Sequence, residues 1–146
     1  EGISPSPARV KAIIEFPTPL TPRQVQQFNG LANYFRPHLP NLASVSKPLY
    51  ESASCKEGHK WTDAQQEAFE KVKQMLTTAP VLAPFEPSLP KRIYTDASAI
   101  GTGGILTQVY PNATERVVLY YSHTCTDAES KYDSYKLEAM ALHRFV

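Results

Sequence analysis

The chain has 146 residues, 42% of them hydrophobic and 20% charged, with a formal net charge of +1. That is enough apolar material for one domain or two small ones, and the near-neutral balance excludes a global basic field, so any hold on nucleic acid must come from a local face. No apolar run approaches the ~18 residues of a membrane span, and Cys55 and Cys125 match neither a zinc spacing nor a disulfide framework, which reads as ordinary thiols in a reducing compartment.

Taken from the N-terminus, prolines mark where helices begin and end. Ser6-Pro7 opens a first helix with Val10, Ile13 and Ile14 on one face, and Pro17-Thr18-Pro19 closes it. Thr21 and Gln24 frame a capping box with Pro22 in the first turn. Val25, Phe28, Leu31, Ala32 and Phe35 then recur at helical spacing, so a second helix carries a buried face and ends at Pro37 and Pro40. Leu42–Tyr50 is a short, weakly helical stretch, and Ser52–Lys60 is a polar loop with Gly58. Thr62 and Gln65 repeat the capping box before a stripe of Ala68, Phe69, Val72, Met75 and Leu76 that runs to about Thr78.

After Pro80 the pattern changes. Residues 81–90 are extended and proline-punctuated, as in a linker between a helical half, 1–80, and a β half, 91–146. Ile93-Tyr94-Thr95, Gly104–Tyr110 and Arg116–Ser122 are β-rich, with turn-formers at Ala99–Gly103 and Pro111-Asn112, which predicts a three-stranded antiparallel meander. A last helix is expected from about Asp127, with Tyr135, Leu137, Met140, Ala141, Leu142 and Phe145 as apolar candidates. The chain begins without Met, and its last apolar periodicity still runs at Phe145-Val146 without a stop signal, as in a piece of a longer polypeptide.

Asp96 is the residue that most needs a reason. A carboxylate within an apolar strand is costly to bury without a partner, and a divalent metal ion is one such partner. Glu138, on the helix about forty residues later, is a candidate second ligand, since hard cations take oxygen ligands. The alternative is structural: Asp96 caps the turn that follows, and Glu138 is a solvated helix residue. Gly101, Gly103 and Gly104 make a hairpin turn rather than a dinucleotide fingerprint, because Leu106 stands where the third glycine is needed. Gly30 costs its helix up to about 1 kcal/mol and so asks for either a ligand or tight helix packing. Trp61 reads as a packing anchor, His38, His59, His123 and His143 as isolated, and Asn112-Ala113-Thr114 as an unused sequon.

The stretches EGISPSPARVKAIIEFPTP, QVQQFNGLANYFRPHLPNLASVSKPL, KWTDAQQEAFEKVKQMLTTAPVLAPF, YTDASAIGTGGILTQ and YYSHTCTDAESKYDSYKLEAMAL together resemble the pol polyprotein of gypsy-type LTR retrotransposons. The match covers the reverse transcriptase thumb and the start of its ribonuclease H domain. The resemblance implies an α+β chain: a helical thumb followed by a partial RNase H-like fold. It implies that Asp96 and Glu138 are catalytic, being two of the family's four carboxylates that hold two magnesium ions. The other two lie beyond this chain, so the piece by itself is expected to bind metal weakly and cleave nothing. In the thumb, Gln26, Gly30 and Tyr34 match the minor-groove pattern at i, i+4 and i+8. Asn33 and Arg36 lie beside them, Lys11 and Arg23 are further phosphate candidates, and Ser98 is expected near the hybrid's sugars. The implied partners are an RNA–DNA hybrid or primer–template duplex and the rest of the polyprotein; the bare edge of a partial sheet invites pairing, so it is expected to belong beside the rest of that domain or to be covered by a second copy of the chain. The implied setting is intracellular, a cytoplasmic virus-like particle and the nucleus. The rival expectation is a retroelement-derived, non-catalytic module that binds nucleic acid or protein.

Overall fold

The computed structural model describes residues 2–54 and 60–146; the expectations for Cys55, Gly58 and His59 lie outside them. The helical part contains α1 (Pro7–Ile14), α2 (Pro22–Tyr34), a 3-10 turn (Arg36–His38), α3 (Leu42–Ser54) and α4 (Asp63–Thr77). The sheet part contains β1 (Lys91–Ala97), β2 (Gly101–Val109) and β3 (Glu115–Thr124), then a 3-10 turn (Glu129–Lys131) and α5 (Ser134–Phe145). Among the described residues the three strands form an antiparallel meander in the order β1-β2-β3. The expected α+β class is the one observed.

Both expected capping boxes form. Gln24 N donates to Thr21 Oγ1 at 3.3 Å and Thr21 N to Gln24 Oε1 at 3.2 Å, while Thr62 N donates to Gln65 Oε1 at 2.7 Å. These bonds satisfy amides that a helix start leaves without partners. The hydrophobic core lies within the helical part, where Ile13, Val25, Phe28, Phe35, Leu49, Phe69, Val72 and Leu76 are buried. Phe28 is its centre, with ring centroids 5.5 Å from Phe16 and 4.7 Å from Phe69.

Several sequence expectations need correction. Leu31 and Ile14, expected in the core, are 40% and 39% exposed, because the buried stripe of α2 runs through Val25, Phe28, Asn29 and Ala32 instead. The stretch from Leu42 is a full helix that continues to Ser54 with Pro48 inside it. Proline there removes one helical hydrogen bond at a cost of ~3 kcal/mol, and burial of Leu42, Ala43 and Leu49 offsets it. β2 begins at Gly101, so Gly101, Gly103 and Gly104, expected to make the hairpin turn, are strand residues and the turn is shorter than expected. α5 begins at Ser134 rather than near Asp127, with Asp133 Oδ1 accepting from Lys136 N at 2.9 Å as its cap. Tyr135 and Leu142, expected on its apolar face, are 83% and 51% exposed.

Residues 81–90 are extended but fastened. Ile3 and Leu82 form an antiparallel bridge, Ala83 N donates to Val117 O at 2.7 Å, and the buried Gln108 donates to Pro84 O at 2.9 Å. The two parts also meet along a polar seam. Arg36 Nη1 donates to Ser122 O at 2.9 Å, Ala43 N to Ser122 Oγ at 3.0 Å, and Thr124 Oγ1 to Ala43 O at 3.2 Å.

Candidate nucleic-acid interface and carboxylate site

Cross-strand register decides which face each strand residue occupies, since successive side chains point to opposite sides. Asp96 pairs with Gly103, which pairs with Ser122. A Cβ on Gly103 would meet Asn41 Oδ1 at 3.3 Å, whereas one on Gly104 would run into the Phe145 ring of α5. Asp96 therefore faces the Asn41 loop, and α5 covers the opposite face.

The Asp96 carboxylate is exposed rather than buried, so the desolvation premise of the sequence argument does not hold. The expectation overlooked that the other side of this strand end is open. Its Oδ1 accepts from Ala97 N at 3.0 Å. Glu138 is exposed on α5, next to the buried Leu137, and makes no ion pair or hydrogen bond among the described residues. The structure thus places the two carboxylates on adjacent elements but different faces. No three His, Cys, Asp or Glu residues gather into a metal-binding group among the described residues. The donor set, hard carboxylate oxygens only, suits Mg2+ in kind and leaves most of its six positions to other ligands.

The proposed duplex-facing residues divide into two groups. Gly30 is exposed, and a Cβ added there would meet nothing within 4 Å. Tight helix packing is therefore not its reason. It opens a groove of about 290 Å³ lined by Arg9, Ala12, Leu31, Tyr34 and Phe35. Tyr34 is 62% exposed, and the Arg9 guanidinium lies 4.2 Å from its ring centroid, which adds a cation that sequence reasoning missed. No local pattern announces that pairing, because it joins two different helices. Gln26 is exposed on the same helix and reaches Ala53 O at 3.4 Å.

Asn33 and Arg36 are engaged inside the chain. Arg36 Nη2 donates to Asn33 Oδ1 at 2.9 Å, and Asn33 Nδ2 to the Tyr50 hydroxyl at 2.5 Å. With its other nitrogen on Ser122 O, Arg36 joins the two parts of the fold rather than offering a free cation to phosphate. Ser98 is similarly occupied: its hydroxyl donates to Gly101 O at 3.2 Å and accepts from Ile100 N and Gly101 N. It holds the β1–β2 turn. Of the further phosphate candidates, Lys11 stands 3.8 Å from Glu15 on the surface, and Arg23 is exposed.

A polar cluster closes the other face. Arg144 Nη2 lies 2.6 Å from Glu129 Oε1, and His123 Nε2 lies 3.7 Å from Glu129 Oε2. A backbone hydrogen bond from Thr126 holds the Glu129 carboxyl below its usual range, with Arg144 adding to it. Burial pushes the His123 imidazole down, and Arg144 acts in the same direction. The histidine is therefore less isolated than its sequence position indicates.

Comparison with known proteins gives a consistent picture. Residues 61–146 match the family described as the RNase H-like domain found in reverse transcriptase. The Gag-Pol polyprotein of Koala retrovirus is 41% identical over 103 residues, 70% of this chain and 6% of its own length. The Retrovirus-related Pol polyprotein from transposon 297 of Drosophila melanogaster is 32% identical over 148 residues, covering 97% of this chain and 13% of its own length. The foamy viral protease-reverse transcriptase has been solved as a dRH form with ds DNA and also with an RNA/DNA hybrid. These structures superpose with TM-scores of 0.84 and 0.82 at 25% identity, covering 99% and 96% of this chain and 25% and 19% of theirs. The chain spans only a small fraction of each of these relatives.

Proposed function

Because the chain belongs to the RNase H-like domain family found in reverse transcriptase, we propose that it is a duplex-holding part of a retroelement Pol polyprotein, with an RNA–DNA hybrid or DNA duplex as its ligand. The observation that carries this reading is Gly30. A glycine in mid-helix is unfavourable, no packing inside the chain uses its missing side chain, and a cation over an aromatic ring borders the gap. Such a gap lets a sugar–phosphate backbone approach α2 closely while Arg9 supplies a local positive charge. The relatives' complexes with double-stranded nucleic acid support the same reading.

Asp96 and Glu138 are proposed as the chain's contribution to a Mg2+ site, an ion commonly held by one or two carboxylates with substrate phosphates completing its shell. When bound, it would polarise the scissile phosphate and lower the pKa of a coordinated water. Asp96 offers its carboxylate at the open end of β1, and Glu138 stands on the helix that packs against that strand. Two carboxylates hold an ion weakly unless phosphate oxygens join them, so this chain by itself is expected to bind duplex and leave it uncut.

The test is duplex binding by Gly30→Leu, read by fluorescence anisotropy with a labelled RNA–DNA hybrid and a labelled DNA duplex. A Cβ at this position meets nothing within 4 Å and leucine is a good helix former, so the fold is expected to be kept. Affinity should fall by at least about five-fold. Unchanged affinity for both duplexes would remove the support for this face.

A further inference from the structure

The Asp96 face of the sheet holds a second groove, separate from the one at Gly30, of about 470 Å³. Its floor is the bare backbone of β2 at Gly101 and Gly103, which lie two residues apart on one face. Its roof comes from the helical part. A Cβ on Gly103 would meet Asn41 Oδ1 at 3.3 Å, and one on Gly101 would meet Ser44 Oγ at 3.6 Å. The seam bonds to Ser122 and Thr124 hold roof to floor, and Asn41 O accepts from Val45 N at 3.1 Å at the start of α3. Asn41 is therefore fixed before anything enters the groove. Its φ is +56°, a left-handed conformation that asparagine tolerates better than most residues and that recurs at functional sites.

Two side chains of this roof have unused hydrogen-bonding capacity. Neither the Asn41 amide nor the Ser44 hydroxyl has a partner among the described residues, and both residues are exposed, so a strand can reach them. Both are uncharged, and each can donate and accept. Ser98, the sugar-facing candidate from the sequence, uses its hydroxyl inside its own turn. Beside Asn41, Asp96 keeps the role proposed above, a ligand to Mg2+ whose shell strand phosphate completes. With the phosphate met by the ion, a neutral group next to it meets the sugar of the same strand. In a hybrid the bases are paired with one another, and only the RNA strand carries a hydroxyl that both donates and accepts. We propose that Asn41, with Ser44 beside it, is a specificity residue that recognises the ribose 2′-hydroxyl of the RNA strand lying at Asp96. The amide oxygen accepts from that hydroxyl, and the amide nitrogen or the Ser44 hydroxyl donates to its oxygen. The discriminating side chain thus belongs to the helical part and the carboxylate to the sheet, and the polar seam is what brings them together. The inference rests on the reading of the chain as a duplex binder and adds to it which strand of a hybrid this face accepts.

Two labelled hybrids of one sequence provide the test, in Mg2+ buffer and read by fluorescence anisotropy. In one the RNA strand is unmodified, and in the other it carries 2′-fluorine, which removes the hydroxyl donor while keeping the charge of the strand. The unaltered chain should bind the hydroxyl form about three- to ten-fold tighter, the range of one net hydrogen bond. Asn41→Gly, which keeps the left-handed backbone, should bring the ratio close to one and leave affinity for the fluoro hybrid unchanged. Ser44→Ala, on the exposed side of α3, should lower the ratio without abolishing binding. Equal, measurable affinity of the unaltered chain for the two hybrids overturns the proposal and leaves the duplex reading standing, as does a preference that survives Asn41→Gly. Gly30→Leu separates the two faces: it should weaken both hybrids alike and keep their ratio. Absence of binding to either hybrid overturns the duplex reading and this proposal with it.

Discussion

Gly30 separates stability from binding at a single residue. Its helix position is exposed and unobstructed, so Gly30→Ala is expected to stabilise the chain by about 0.5–1 kcal/mol through helix propensity alone, read as a higher urea midpoint with unchanged slope. A loss of stability would mean that the glycine is needed for the fold itself. Histidines give a second residue-scale prediction. Burial lowers the pKa of both His38 and His123 below 6.5, so the unfolded chain takes up protons first as pH falls, and stability should begin to drop below about pH 6.5. Glu129 and Glu115 are held low, the first chiefly by the Thr126 backbone and the second chiefly by the Tyr94 hydroxyl. Their contribution is present above pH 4.5 and is lost as pH falls through their depressed native values, giving a second decline at lower pH. Chemical unfolding across this range, with His38→Gln and His123→Gln expected to flatten the first decline, checks the sign.

At the scale of elements, cap residues and prolines were good guides where the signal was local. Thr21-Pro22-Arg23-Gln24 and Thr62-Asp63-Ala64-Gln65 both start helices, because the side chains that satisfy the first amides lie within one turn. α5 was placed too early since Asp127 and Asp133 are equally plausible caps in the sequence. The 3-10 turn at Glu129–Lys131, tied to Thr126 and Arg144, takes up the intervening residues. Asp133→Ala should therefore cost ~1 kcal/mol, measurable in thermal unfolding, whereas Asp127→Ala should be close to neutral. Leu42–Tyr50, expected as a short, weak helix, runs on to Ser54 past Pro48, because the buried stripe of α3 outweighs the hydrogen bond that the proline removes.

In the whole molecule, two kinds of contact carry different loads. The aromatic centre at Phe28 sits in the helical part, and Phe28→Ala is expected to cost about 3–5 kcal/mol, enough to threaten folding altogether. The seam between helices and sheet is polar and depends on one buried serine. Ser122→Ala leaves Ala43 N without its partner and should cost ~1–3 kcal/mol, seen as an earlier loss of hydrogen-exchange protection at the seam than in the helical core. β1 pairs on one side only among the described residues, and such an edge can template pairing with another chain. We expect concentration-dependent dimerisation in light scattering, which a monomer at all concentrations would rule out.

What the sequence determined by itself was everything encoded over short distances or by pattern: capped helices, the period-2 strands, the α+β class, and the motifs that resemble a retroelement reverse transcriptase. It also singled out Gly30 and Asp96, because each breaks a local rule. Only the tertiary structure decided what those exceptions face. Gly30 opens outward beside Arg9, Arg36 turns inward to Ser122, and Asp96 lies exposed over Gly103 next to Asn41 rather than on the face that α5 covers. The physical reason is register and docking: which side of a strand is open, and which distant loop lies over it, depend on contacts made across many tens of residues.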